Sequence, residues 1–232
     1  MRNLTIEFLG PAKIVLDGAI VSDIKTAKTT ALLAYLALES NRPHRREALA
    51  GLLWPDSPEN AARSSLRQAV ANLRRSLDDA GADPPIFLSS RESLQFNPDA
   101  QFAFDVQDFT ANYAFTQAHR HRRLDTCPIC AGHLQEASQL YKGDFLAGLS
   151  LADAPQFESW MVYRRESLHR QALQAMSVLA TAALRRADYD AALHLARRQL
   201  ALEPWRETAA RCRPGHACPG LQRAARRGPG PV

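Results

Sequence analysis

The chain has 232 residues, of which 46% are hydrophobic and 23% charged, a composition typical of a globular protein with one or two domains. No apolar run approaches the roughly 18 residues of a membrane-spanning helix, and the start MRNLTIEF does not resemble a signal peptide, so we expect a cytoplasmic protein without a membrane partner. The formal charge of +5 arises entirely within residues 206–232, which hold six arginines and one glutamate, so a global positive field is excluded as an argument for nucleic-acid binding.

Short strands followed by helices are predicted in the first part of the chain. Apolar residues alternate with polar ones at Leu4, Ile6 and Phe8, as they do in a strand, and a second strand follows the Gly10-Pro11 turn. The next two apolar runs have helical spacing. The predicted second strand and the two helices are Ile14–Leu16, Lys28–Leu38 and Arg45–Trp54.

The segment Ser57–Leu77 is predicted to form a third, amphipathic helix. Ser57 offers an N-cap oxygen, Pro58 suits the first helical position, and Glu59 complements the positive helix end. Apolar residues recur along it at helical spacing and form one stripe that we expect to be buried. The stripe consists of Ala62, Leu66, Ala69, Val70, Leu73 and Leu77.

The opposite face of this helix carries hydrogen-bonding and cationic side chains. At about 100° per residue, its members are Ser64, Gln68, Ala71 and Arg75, flanked by Asn60, Arg67 and Asn72. None is a carboxylate. Amide side chains can pair with adenine, arginine with guanine and serine with phosphate, so the face suits the major groove of DNA. The alternative is an ordinary solvated helix face.

A hairpin is predicted directly after this helix. Ile86–Phe96 divides into two short strands joined at Ser89–Glu92, with Arg91 at the tip, where it can reach a phosphate or a minor groove. Three helices with a tight turn between the second and third, followed by such a hairpin, have the plan of a winged helix-turn-helix.

Residues 4–109 resemble the OmpR-type winged helix of SARP-type transcriptional activators. The matching pieces are LGPAKIVLDG, AKTTALLAYLAL, REALAGLLWPDSPENAARSSLRQAVANLRRSL and the hairpin. The resemblance implies that the third helix is a recognition helix for double-stranded DNA. It also implies two protomers on direct repeats and contact with RNA polymerase. The DNA-facing stretch that it implies contains Arg63, Ser64, Ser65, Arg67, Gln68, Asn72 and Arg75.

The second half, from Phe104 to Trp205, has mostly helical periodicity. Ala187–Pro204 resembles the second helix of a tetratricopeptide repeat, in which Ala192 permits close packing and Leu200 faces the core. The helical pattern is interrupted at residues 125–128, 143–155 and 187–190.

The segment LYKGDFLAGLSLADAPQFESWMVYRRESLHRQAL resembles the bacterial transcriptional activator domain that follows the winged helix in the same family. Its large apolar side chains are interpreted as core residues, with a ligand pocket as the alternative. They are Phe145, Leu146, Phe157, Trp160 and Tyr163.

The sequence after Pro204 departs from this resemblance, because proline and glycine occur throughout and no helical period continues. The break is typical of a disordered tail or of a frame shift, and we expect residues 208–232 to stay unfolded. The predicted division is a winged-helix domain at 1–103, a helical domain at 104–206 and a tail at 207–232.

Cysteine and histidine crowd into one short segment. Cys127 and Cys130 have the spacing of a zinc knuckle, and His119, His121 and His133 lie nearby. We expect free thiols and no metal, because two histidines two residues apart on a helix end point to different sides. Bound zinc and a redox pair are the alternatives, while Cys212 and Cys218 are interpreted as incidental.

The sequence lacks the GxxxxGK[ST], GxSxG and HExxH motifs, and its acidic residues form no obvious pair, so neither an enzyme nor a cofactor site is predicted.

The predicted fold is mainly α with small β elements, a winged helix-turn-helix followed by a TPR-like helical repeat domain. The predicted function is that of a DNA-binding transcriptional activator. The alternative is a protein-interaction scaffold whose helical domain is active and whose DNA-binding module is degraded.

Overall fold

The computed structural model describes residues 3–24 and 26–203, so the predicted tail lies outside the described residues. The described chain forms two compact units. One contains the residues up to Asp108 together with Tyr141–Leu168, and the other contains Phe109–Leu140 and the residues from His169 onward. Residues 141–168 therefore group with the first unit, although the sequence-based boundary places them after residue 103. Over the described residues, no helix is long and apolar enough to cross a membrane.

The first unit begins with a four-stranded sheet made of β1 (Leu4–Glu7), β2 (Lys13–Leu16), β3 (Ala19–Ile20) and β7 (Phe102–Phe104), in the order β3-β2-β1-β7. Strand β1 runs antiparallel to β2 and parallel to β7, so that Leu4 lies opposite both Leu16 and Phe102. Because alternate side chains of a strand share a face, Leu4 and Ile6 are both buried, as their alternation predicts.

Three helices follow the first strands: α1 (Ala27–Leu38), α2 (Arg46–Leu53) and α3 (Glu59–Ser76). All six apolar residues of the predicted stripe are buried, which confirms the amphipathic pattern. The predicted N-cap of α3 is wrong, since Ser57 donates its N–H to the Trp54 carbonyl in a turn. Pro58 has an extended ψ of 144° and becomes the cap residue, so α3 begins one residue later, at Glu59.

The predicted hairpin is present and supplies two adjacent strands of a three-stranded antiparallel sheet. The two hairpin strands are β5 (Phe87–Ser89) and β6 (Ser93–Phe96), and residues 90–92 join them. Strand β4 (His44–Arg45) pairs with β6 and was not apparent from the sequence, because two residues carry no alternation. We call the β5–β6 hairpin the wing.

Residues 141–168 pack within the first unit. Leu146 donates its N–H to the Phe8 carbonyl, and the side chains of Phe145, Leu146 and Phe157 are fully buried, as predicted. Trp160 is half-buried and donates its indole N–H to Glu39. The core assignment of Tyr163 is wrong, since 67% of this residue is exposed. It lies on the side of its helix opposite the buried row that contains Phe157.

The second unit is built from helices: the larger part of α4 (Asp105–Ala118), α5 (Pro128–Leu140), the C-terminal part of α6 (Pro155–Arg185) and α7 (Tyr189–Leu202). Ala192 is buried, as the repeat pattern predicts. Leu200 is only half-buried, which contradicts its predicted core position. Gln199 takes that position because it aligns with the buried face of α7, and its amide donates to the Leu173 carbonyl.

A buried carboxylate joins β1 to the start of α4. Where β7 ends, Asp105 accepts hydrogen bonds from the backbone N–H groups of Phe8 and Leu9, at 2.8 to 2.9 Å. These donors lie beyond the last paired residue of β1 and would otherwise be buried without partners. Burial raises the pKa of Asp105 to about 6, although the backbone donors oppose this shift.

We therefore expect the free energy of unfolding to depend on the ionisation of Asp105. Its pKa in the folded chain lies above the ordinary value of 3.8, so the folded state binds the proton more tightly. The protonated Asp105 therefore stabilises the folded state, and this stabilisation is fully present below about pH 4. As the pH rises through about 6 it is lost, which lowers the free energy of unfolding by roughly 3 kcal/mol. Urea unfolding between these pH values should show this fall in the wild type and not in Asp105→Asn. Parallel pH profiles for the two proteins would contradict the assignment.

Candidate nucleic-acid interface

The outer face of α3 is accessible along its length. Arg67, Gln68 and Arg75 are exposed, and the residues between them on the same side are polar or small. The half-buried members of the predicted site are Arg63, Ser64, Ser65 and Asn72. The structure thus places the predicted residues of α3 outside the apolar stripe, with different degrees of exposure.

One side of α3 forms a cleft of about 880 Å³ with the wing and with the start of α2. Its lining is strongly cationic, because five arginines face it against two glutamates. Arg91 at the wing tip and Arg67 on α3 both line this cleft, so two predicted residues that are distant in sequence share one surface. The charged lining residues are Arg45, Arg46, Arg63, Arg67, Arg91, Glu47 and Glu92.

The other side of α3 forms a second groove of about 560 Å³, which Ser65, Gln68 and Asn72 line together with the start of α1. The Asn72 amide donates a hydrogen bond of 3.2 Å to the Asp23 carbonyl. This bond occupies one of its donors, whereas Gln68 is exposed at the groove edge. Of the predicted residues of α3, two therefore line the first cleft and three the second groove, whereas Ser64 and Arg75 line neither.

Arg63 is engaged in ion pairs. Its guanidinium lies 2.7 Å from a Glu47 oxygen on α2 and 2.6 Å from a Glu59 oxygen one turn earlier on α3. The outward face of α3 therefore carries no carboxylate, as predicted, but the surface around that face does contain carboxylates. Glu47 reaches the surface from a neighbouring helix, and no periodicity within α3 could show it.

Two arginines that sequence reasoning missed complete the cleft. Arg45 has a side chain that is 80% exposed and lies 3.4 Å from Glu47. Arg46 donates to the Ser90 carbonyl at 3.0 Å and to the Ser89 hydroxyl at 2.8 Å, so it holds the wing. The adjacent basic pair at the start of α2 was a visible signal, but its position beside α3 depends on the pairing of β4 with β6.

Asp79 fixes the wing to the end of α3. Its carboxylate is fully buried, pairs with Arg74 at 2.6 Å, and accepts hydrogen bonds from the N–H groups of Ile86 and Phe87 at 2.7 and 3.0 Å. Arg74 belongs to α3 and Phe87 begins the wing. One carboxylate therefore sets the separation between the two elements that form the cleft.

The cysteine and histidine segment lies in the second unit. Helix α4 ends at Ala118, so His119 and His121 do not lie on a helix. Helical geometry therefore does not make their side chains point to different sides. Cys127 and Cys130 are not joined by a disulfide, and His119 lies beside both sulfurs. His133 instead contacts Asn112. Cys212 and Cys218 lie outside the described residues.

Two family descriptions match consecutive parts of the chain. Residues 24–92 match the family described as "Transcriptional regulatory protein, C terminal", and residues 104–213 match "Bacterial transcriptional activator domain". The first match runs from before α1 to the tip of the wing. The order of the two matches confirms the resemblance drawn from the sequence.

Curated relatives share the name of transcriptional regulatory protein. EmbR of Mycobacterium tuberculosis is 38% identical over 89 residues, which are 38% of this chain and 23% of EmbR. MoaR1 of the same organism is 28% identical over 201 residues, which are 86% of this chain and 62% of MoaR1. The chain thus spans about a quarter of EmbR and less than two thirds of MoaR1 in these matches.

A solved structure of Mycobacterium tuberculosis EmbR in complex with a low-affinity phosphopeptide has a similar fold. It matches with a TM-score of 0.57 and 24% identity, covering 98% of this chain and 65% of that one. The likeness confirms the predicted fold class, mainly α with small β elements, in which a winged helix-turn-helix precedes a TPR-like helical domain.

We expect Asp79→Ala to lower the free energy of unfolding by about 3 kcal/mol, because it leaves two buried N–H groups without an acceptor. Amide hydrogen exchange at Ile86 and Phe87 should accelerate more than exchange in the centre of α1. Asp56→Ala, at an exposed carboxylate before α3, serves as the control and should stay within about 0.5 kcal/mol of the wild type. Urea unfolding of the three proteins measures the difference, and equal stability of Asp79→Ala and the wild type would contradict the role of this carboxylate.

Proposed function

We propose that this chain, which belongs to the family of bacterial transcriptional regulators that join an OmpR-type winged helix to a bacterial transcriptional activator domain, binds double-stranded DNA sequence-specifically and activates transcription. The observation that carries the proposal is the cationic cleft between α3 and the wing, beside an exposed polar helix face. An α-helix fits the major groove, and a hairpin beside it can reach the adjacent backbone.

The side chains divide into two roles in this proposal. Gln68 and Arg75 are exposed, and their types suit hydrogen bonds to adenine and guanine edges. Arg67 and Arg91 line the cleft and suit phosphate contacts, which position the protein without reading sequence. The full DNA-contacting set that we propose is Arg63, Ser64, Ser65, Arg67, Gln68, Asn72, Arg75 and Arg91, to which the cleft adds Arg45.

Residues 1–103 form the DNA-binding part in this proposal, and residues 104–206 form the part that assists activation. Membership of the family supports two protomers on direct repeats near a promoter and contact with RNA polymerase. A protein with these partners works beside the chromosome, so we propose a cytoplasmic location. No catalytic role is part of the proposal.

The experiment that tests the function is selection of bound duplexes from a random DNA pool by the full chain. Enrichment of one sequence motif is the expected result. A motif that occurs twice in the same orientation would support two protomers on direct repeats. Failure to enrich any sequence, in a protein that unfolds cooperatively, would favour the scaffold alternative.

We expect Arg67→Ala and Arg91→Ala each to weaken binding to every duplex by roughly fivefold at about 0.15 M salt, since one phosphate contact changes the salt slope by about 0.9. Gln68→Ala should instead relax the preference at one base position, by about 1–3 kcal/mol of discrimination. Salt-dependent titrations of the selected duplex and its single-base variants measure both effects.

The control for charge is Arg197→Ala, at an exposed arginine of α7, which should bind with unchanged affinity and salt slope. If the Arg67, Arg91 and Gln68 variants all bind like the wild type, the assignment of α3 and the wing as the DNA interface is wrong.

Glu47→Gln should strengthen binding to all duplexes. Glu47 pairs with Arg45 and Arg63, so its loss removes a negative charge from the cleft and releases Arg45 toward phosphate, while Arg63 keeps its pair with Glu59. One added phosphate contact corresponds to roughly a fivefold gain at about 0.15 M salt. Glu136→Gln, at an exposed glutamate of α5, is the matched control. Weaker binding by Glu47→Gln would instead mean that Glu47 holds Arg63 in its binding position.

A further inference from the structure

The segment between α4 and α5 brings two imidazoles to two thiols. Helix α4 ends at Ala118, His119 and His121 follow it, and Cys127 and Cys130 flank the first turn of α5. Nδ1 of His119 lies 3.2 Å from the sulfur of Cys130 and 3.7 Å from that of Cys127. Nδ1 of His121 lies 3.6 Å from the sulfur of Cys130. Within the described residues, the ligand atoms of His119, Cys127 and Cys130 all lie within 4.8 Å of one another.

These separations match the edges of a tetrahedral zinc site. Bonds of about 2.3 Å to sulfur and about 2.0–2.1 Å to nitrogen give nitrogen-to-sulfur edges of about 3.5 Å. Two of the three measured distances lie within about 0.2 Å of that value, and the third, between His119 and Cys130, differs by about 0.3 Å. His119, Cys127 and Cys130 therefore already lie near the spacing that a metal requires, and His121 reaches that spacing to Cys130.

The surroundings hold the donors in place. The ring of Phe115 stacks on His119 at a centroid distance of 5.4 Å, and the Cys130 side chain is fully buried. Asp125 pairs with Arg123 at 3.1 Å and with Arg185 at 2.6 Å, which fixes the loop between the histidines and the cysteines. A donor set that is held by packing and by ion pairs loses little conformational entropy on binding.

We propose that His119, His121, Cys127 and Cys130 bind one structural zinc ion. Two thiolates and two neutral imidazoles are ligands that zinc prefers, and together they give a neutral centre. The ion would tie the end of α4 to the start of α5 and close the loop between them. This site is independent of the DNA interface and does not rest on the proposed function.

The convergence of imidazoles distinguishes this site from a redox pair. A dithiol that cycles with a disulfide needs only its two sulfurs and an attacking thiolate. It does not require two ring nitrogens placed within 3.7 Å of those sulfurs. The adjacent His133 does not take part, since its Nδ1 lies 2.6 Å from the Asn112 amide oxygen.

The test is elemental analysis of the full chain, purified without chelators and dialysed against metal-free buffer. We expect about one zinc per chain. Replacement by Co²⁺ should give the intense visible absorption of a tetrahedral site and a thiolate-to-cobalt band in the near ultraviolet. Cys127→Ser and His119→Gln should each lose the zinc and these bands, and His121→Gln should change the cobalt spectrum and release zinc to a weaker chelator.

Two controls keep the outcome specific. His133→Gln should retain zinc, because this histidine faces Asn112. The double variant Cys212→Ser/Cys218→Ser should also retain it, which excludes binding by the cysteines after residue 203. Protein that contains no zinc, with Cys127 and Cys130 labelled by a thiol reagent or joined in a disulfide seen by mass, would overturn the proposal. An unchanged cobalt spectrum in His121→Gln would overturn the assignment of the fourth ligand.

Discussion

The proposed DNA-binding surface depends on one buried carboxylate. Asp79 satisfies two backbone donors at the start of the wing and pairs with Arg74 at the end of α3, so the hairpin cannot move independently of the helix. A fully buried carboxylate is tolerated only with such partners. This link sets the distance between α3 and the wing, and the cleft that the arginines line lies between these two elements. Arg46 adds a second link, from α2 to the turn of the wing.

A second buried carboxylate accepts hydrogen bonds from backbone N–H groups where the first sheet ends. Strand β1 continues past the last residue of β7 that can pair with it, and Asp105 takes the place of the missing carbonyl partners. The backbone there lies against residues 141–168. Leu146 of this segment donates its N–H to the Phe8 carbonyl, and the neighbouring Phe145 is fully buried. Backbone groups that would be left unpaired thus explain why a segment from the middle of the chain groups with the N-terminal unit.

The electrostatics of the cleft are local. Residues 1–205 carry no formal net charge, yet five arginines face one cleft. Glu47 and Glu59 compensate part of that charge through Arg63. A partly compensated surface weakens attraction to any polyanion, and it leaves a larger share of the discrimination to hydrogen bonds with base edges. Arg67 forms no ion pair with the part of the chain that the structure describes, and in the proposed interface it supplies part of the remaining attraction.

The sequence alone determined the elements whose cause is local. The apolar stripe of α3, the wing and the breaks between later helices follow from periodicity and turn residues, and the structure has them. Tertiary structure alone decided which side chains meet across those elements. Glu47 lies beside Arg63 although many residues separate them in the sequence. His119 lies beside Cys130 because α4 ends before it, and periodicity placed that helix end imprecisely. The physical reason is that helical spacing fixes which residues share a face, whereas the packing of buried groups fixes which faces come together.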